Sequence, residues 1–280
     1  MFNQYSMKII KLALMLSLTF LLLPMSSNAQ TAERTKERKA KREQKKENQT
    51  SFLVLESAAT YSNNQDLSTS NQLYSGAGVG FSLGEFKVTP KSIQDYEILG
   101  LGTNFISSQG GVSGYDFLVT MNYGHLFILD KQPNDWQIAV GPKLDFLTQV
   151  RVLSPLGNSA THWDGLLTLG AATRVHKKIE LPFIHKEVQF YSEAHLPIAG
   201  YINRPSFGLP GWEVIHQVAY IGNLFRLETE NGIIFPIGRH NNNAFRINYN
   251  WDFFRYRDNE AYRVITGHHA LGFGLMVRLR

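Results

Sequence analysis

The chain has 280 residues, no cysteine and a formal net charge of +5. Without cysteine there is neither a disulfide framework nor a thiol on which to build a lipoprotein anchor. The positive charge is local: residues 1–50 hold ten lysines and arginines against four acids, so residues 51–280 carry 18 basic against 19 acidic side chains. That balance excludes a basic nucleic-acid-binding face on the folded part.

Residues 1–23 combine Lys8 and Lys11 with an apolar run from Leu12 to Leu23, followed by Pro24 and Ser27-Asn28-Ala29. The apolar core is too short to span a bilayer, and small residues at Ser27 and Ala29 fit a signal-peptidase site. Residues 1–29 are therefore expected to be a cleaved secretory signal. Residues 30–50 form a tail with eight basic residues, Arg34, Lys36, Arg38, Lys39, Lys41, Arg42, Lys45 and Lys46, interleaved with Glu33, Glu37, Glu43 and Glu47. Its only apolar residues are two alanines, so it cannot bury a core and reads as disordered or a single solvated helix.

The apolar segment beginning at Ser51-Phe52-Leu53-Val54-Leu55 opens a third region, 51–280, with the period of β-structure. Ten strands are predicted at 52–61, 73–83, 96–106, 113–129, 136–152, 165–177, 187–202, 219–237, 244–256 and 262–279. The pattern is clearest near the end: Phe245, Ile247, Tyr249, Trp251 and Phe253 alternate with Arg246, Asn248, Asn250 and Asp252. Leu271, Phe273, Leu275, Val277 and Leu279 then alternate with Ala270, Gly272, Gly274, Met276 and Arg278. Aromatics on the apolar side of long strands suit a lipid-facing wall.

Twelve strands result if 219–237 folds as a hairpin at Glu230-Asn231-Gly232, and eight if two early strands leave the wall. One strand is favoured there because Phe225, Leu227, Ile233, Phe235 and Ile237 keep one parity. The links at 84–95 and 178–186 read as long. Residues 154–164, which include His162 and Asp164, read as an outer loop, as do 203–218. Trp136, Trp163, Trp251, Tyr115, Tyr220, Tyr249 and Tyr256 fall near strand ends, where an aromatic girdle belongs.

Three features together, Ser27-Asn28-Ala29 before Gln30, the alternation over 244–256 and the terminal strand from Phe273 to Leu279, resemble small outer-membrane β-barrel proteins of Gram-negative bacteria. The resemblance spans 52–280 and implies an antiparallel transmembrane up-and-down barrel, with outer-membrane lipid around it and both termini in the periplasm. It also implies insertion through an amphipathic last strand, often ending in an aromatic residue. This chain departs from that pattern, ending Leu279-Arg280.

Extending the parity points Lys143, Asp145, Arg151, Arg174, Glu193, His195, Arg226, Glu228, Glu230, Arg246, Asp252, His268 and Arg278 inward. A ten-stranded barrel is narrow and filled by side chains. Such charges are costly unless paired, so a salt-bridged lumen network is expected. The sharper alternative is a hydrolytic site, with Glu228 across from Asp252 and His268 beside them, where crowded carboxylates would make a general base. Ser192 and His195 differ in parity, which speaks against a serine triad. Gly76, Gly78 and Gly80 alternate within a strand and read as close packing rather than a phosphate loop. Neither His162 with Asp164 nor His268 with His269 has a third partner at metal-ligand spacing, so no metal and no cofactor is expected. The reading is a non-enzymatic structural or interaction barrel with a plugged lumen. Its basic tail would dock on lipid phosphates, peptidoglycan or an acidic periplasmic protein, and the alternatives are a hydrolase or a narrow pore.

Overall fold

A computed structural model describes residues 49–67, 70–129, 136–154, 161–181, 186–205, 214–237, 242–257 and 263–279. The expected signal and residues 30–48 of the expected tail lie outside these residues, and Thr50, expected to end the tail, begins the first strand. The described chain is built of β-strands: β1 (Thr50–Asp66), β2 (Ser70–Val88), β3 (Ser92–Ser108), β4 (Ser113–Ile128), β5 (Trp136–Leu153), β6 (Thr161–Leu181), β7 (Lys186–Pro205), β8 (Val214–Tyr220), β9 (Leu224–Ile237), β10 (Asn243–Arg257) and β11 (Arg263–Leu279). Consecutive strands pair antiparallel except β8 with β9, and β1 pairs with β11, which closes the sheet.

The closed sheet has ten staves because β8 and β9 occupy one. Both pair with β7, β8 with Ala199 to Pro205 and β9 with Gln189 to His195. Between them a turn is held by Asn223, whose side chain accepts from the Tyr220 amide at 2.8 Å and whose carbonyl accepts from the Arg257 amide at 2.9 Å. The twelve-strand alternative fails because Glu230, Asn231 and Gly232 run straight through β9, paired with Asn250, Tyr249 and Asn248. The eight-strand alternative fails because every early strand stays in the wall.

The strands also run further than their alternation suggested, which shortens the links. Thr89 to Lys91 join β2 to β3, in a tight turn where Thr89 Oγ1 accepts from the Ser92 amide at 2.9 Å. Likewise 203–204 extend β7, and 161–164 belong to β6 rather than to an outer loop.

Closure fixes the tilt. From Tyr61 the row of paired residues passes one way through Ala77, Phe105 and Tyr115 to Val152 of β5. The other way it passes through His269, Trp251, Thr229, Ala194 and Thr173 to Val140 of the same strand, twelve residues away. A stagger of that size makes the strands lean steeply around a narrow barrel.

The two faces follow the period-two pattern. Val79, Phe81, Leu101, Phe117, Met121, Leu144, Leu169 and Phe273 are exposed on the outer wall. Exposed apolar side chains over a whole barrel face would be a severe liability in water and are the normal surface of a transmembrane barrel. One residue of the expected girdle is corrected. Tyr256 is 2 % exposed and points inward, its hydroxyl bonded to Gln217 and its ring 5.8 Å from the Arg204 guanidinium. Its even number in β10 places it with Arg246 and Phe254 rather than with Tyr249.

Candidate functional site: a tiered lumen

The inward faces stack into tiers between the end that carries the termini and the far end. At the terminal end Val54, Phe86, Ile93, Leu126 and Met276 form an apolar cluster. These are even residues of β1, β2, β4 and β11, with Ile93 contributed by β3.

The middle tier is a network of ion pairs. Arg246 donates to Glu56 through Nε at 3.0 Å and Nη2 at 2.6 Å, and its Nη1 lies 3.4 Å from Glu230. Tyr191 donates its hydroxyl to Glu230 as well. Arg174 bridges Asp95 at 3.1 Å and Glu193 at 3.4 Å, sandwiched between the rings of Tyr191 and Phe86 at 4.3 and 4.9 Å. Lys143 joins Glu193 at 3.1 Å to Glu228 at 3.3 Å, and His195 Nδ1 lies 3.2 Å from Glu228. Arg226 clamps Asp252 with Nε and Nη2, both at 2.9 Å, and turns Nη1 onto Asp145. Glycine makes some of these contacts possible. Glu56 and Arg246 flank Gly274 in one row of paired residues and meet across it, where a neighbour with a side chain would crowd them.

Above this lies a second apolar belt of Leu147, Leu166, Ile202, Leu224 and Phe254. Beyond it Asp66 receives Arg204 at 3.1 Å, Arg151 at 3.3 Å and His162 Nε2 at 2.8 Å. Arg151 also binds Asp164. The ligating atoms of Asp66, His162 and Asp164 lie within 4.8 Å of one another, the spacing of a metal site. Two guanidinium groups already satisfy those carboxylates, so the donor set is a compensated ion cluster.

Twelve of the thirteen residues expected to point inward line or fill the lumen. The exception is Arg278, which lies past the last buried residue of β11 at the terminal rim, exposed and bonded to Asn242 at 3.3 Å. The hydrolytic trio is only half assembled. Asp252 pairs in register with Glu228 on one side and His268 on the other, the arrangement expected from the sequence. However, Lys143 and His195 hold Glu228 while Arg226 holds Asp252, and His268 Nε2 is buried without a hydrogen-bond partner. Neither carboxylate is left free to take a proton from water. The other parity readings hold: Ser192 bonds Asn231 on the outer side while His195 is buried, and His269 bonds Tyr249 outside while His268 faces the lumen.

Sequence reasoning missed Glu56, Asp66, Asp95, Glu97, Tyr191 and Arg204. Glu56 shares the parity of Val54 and was legible in principle. Glu97 was not, because the β3 register slips between Glu97 and Gly100 and leaves Ile98 and Leu99 both on the outer face. Glu97 turns inward, accepting from Thr120 Oγ1 at 2.6 Å and Asn122 Nδ2 at 3.4 Å, with no salt-bridge partner among the described residues.

No protein-family model matches the sequence, and no curated protein does. Solved structures with a similar barrel include the outer membrane protease OmpT from Escherichia coli, at TM-score 0.48 and 6% identity over 83% of this chain and 97% of that one. Neisserial surface protein A is similar at TM-score 0.33 and 12% identity, over 81% and 97%. The translocator domain of autotransporter NalP from Neisseria meningitidis is similar at TM-score 0.34 and 11% identity, over 86% and 95%. These likenesses concern the barrel fold, and none assigns a site to this chain.

Proposed function

We propose that this chain is a structural or interaction barrel of a Gram-negative outer membrane, with a plugged lumen and both termini in the periplasm. The observation that carries this reading is the tiering of the lumen. Two apolar tiers cross the bore above and below the ion pairs, and an ion entering either mouth would have to shed its hydration against them. The even number of staves, which brings the start of β1 and the end of β11 to one mouth, supports this reading, as does the exposed apolar wall.

Planar-bilayer recording tests the plug. The purified protein is expected to give no stable conductance steps, and steady unitary steps would replace this reading with a narrow pore.

The basic tail supplies the interaction. Eight cations in residues 30–50, directly before the wall, favour docking on phosphate-bearing lipid or an acidic periplasmic surface, an attraction that salt screens. Because β1 starts at Thr50, removing residues 30–48 leaves the wall intact. The truncated barrel is expected to fold normally and to lose salt-sensitive sedimentation with vesicles containing anionic phospholipid. Failure to fold would assign the tail to assembly.

A further inference from the structure

The middle tier holds a cavity of about 180 Å³ lined by Glu97, Thr120, Asn250, Asp252 and His268 among others. The charges around it do not balance. The carboxylates of the tier are Glu56, Asp95, Glu97, Asp145, Glu193, Glu228, Glu230 and Asp252. Against these eight stand four permanent cations, Lys143, Arg174, Arg226 and Arg246. A buried excess of negative charge is expensive unless a cation or protons join it.

The hydrogen-bonding inventory has the same sense. His268 is 8 % exposed and lines the cavity, with Nε2 lacking any partner, and the buried Asn250 Oδ1 on the adjacent strand lacks one too. Asn250 Oδ1 only accepts, and His268 Nε2 accepts in the tautomer that carries its proton on Nδ1. Across the cavity Glu97 carries two neutral donors and no cation. The acceptors come from opposite parts of the wall and are not gathered tightly enough to ligate one metal ion. Among the described residues only the distant Asp66 cluster has that spacing.

Size narrows the ligand. A cavity of about 150 Å³ accommodates benzene, so this one admits a molecule rather than a bare ion. Val54 of one apolar tier and Leu118 beside the other line it as well, so the cavity occupies the bore between the two tiers.

We propose that the mid-lumen cavity binds a small organic cation, an ammonium group on a compact aliphatic body, with Glu97 as its counter-ion. Isothermal titration calorimetry on the full-length barrel in detergent, with putrescine as the probe, tests it. The expected result is saturable one-to-one binding of putrescine, no binding of the uncharged 1,4-butanediol, and an affinity about tenfold or more weaker in Glu97→Gln. The folded state of that variant is checked by its heat-dependent gel mobility. Absence of saturable binding to the native barrel, equal binding of the diol, or an unchanged affinity in folded Glu97→Gln would each overturn the proposal. Calcium chloride binding where putrescine does not bind would overturn it in favour of a metal. If Glu97→Gln does not fold, the comparison of putrescine with the diol on the native barrel still decides.

Discussion

Replacing Arg226 with methionine is expected to lower the unfolding free energy of the barrel by about 3–5 kcal/mol, read from urea unfolding in lipid vesicles. Arg226 is 1 % exposed and is the only cation within salt-bridge distance of Asp145 and Asp252 among the described residues. Methionine fills most of the same volume, so the cost arises from electrostatics rather than from a cavity. Two carboxylates stay behind in a bore from which their counter-charge has gone. An unpaired buried charge costs far more than the net value of the pair that held it.

The sign of the effect can be isolated. Adding Asp145→Asn and Asp252→Asn to Arg226→Met removes the orphaned charges and is expected to return most of the lost stability. A surface pair supplies the contrast. Lys178 and Glu187 lie 3.3 Å apart with side chains 66 and 57 % exposed, and Lys178→Ala is expected to change stability by less than about 1 kcal/mol. Equal costs at the two sites would mean that the lumen is wet and that its network does not hold the wall in shape.

The difference between these two pairs follows from parity, and parity was legible from the residues alone. A strand has one degree of freedom at this level: once Phe245 and Ile247 face out, Arg246 and Asn248 must face in. The same rule placed Arg226, Glu228 and Glu230 together, and a six-residue link between two strands was enough to set Asp252 against Glu228. What the alternation could not reveal were the places where it breaks. β3 carries an extra residue at Ile98–Leu99 and β7 one at Ile198, and the register shifts there. Each shift moves the rest of its own strand to the other face. Glu97 enters the lumen through one of these slips, and local composition carries no sign of it.

Partner choice was equally hidden. Alternation says that His195 and His268 both face inward, but only the stagger of the closed barrel brings Glu228 to the first and leaves the second unpartnered. A hydrolytic site built on His268 therefore follows from register, while the contacts tie Glu228 and Asp252 to Lys143, His195 and Arg226. The ends of the wall were misjudged for another reason. Polar residues such as Asn63, Asn64 and Gln65 continue the strand past the apolar band, and Arg204 and Asp164 sit at such extensions, where hydropathy no longer distinguishes strand from loop.

Gly78→Val is expected to prevent the barrel from forming, seen as loss of the heat-modifiable folded species on gels after refolding into detergent. A Cβ placed at Gly78 would lie 1.8 Å from the carbonyl oxygen of Thr103, and one at Gly76 would lie 1.7 Å from that of Phe105. Both obstacles are backbone, so no rotamer change relieves them. Separating β2 from β3 would break the ladder in which Gly78 pairs with Asn104 and Gly76 with Ile106. Gly267→Ala is the counterpart, because nothing lies within 4 Å of a Cβ at that position. That variant is expected to fold with stability within about 0.5 kcal/mol of the native chain. A folded Gly78→Val barrel would show that β2 and β3 do not approach so closely. The approach serves the lumen directly. Thr60 and Asn104 flank Gly78 in one row of paired residues, and Thr60 Oγ1 donates to Asn104 Oδ1 at 2.7 Å over the space where a side chain would stand. Glu56 and Arg246 meet over Gly274 in the same way. In a bore this narrow, an inward glycine on one strand lets its two neighbours pair, so the glycine stripe and the ion network are two parts of one packing solution.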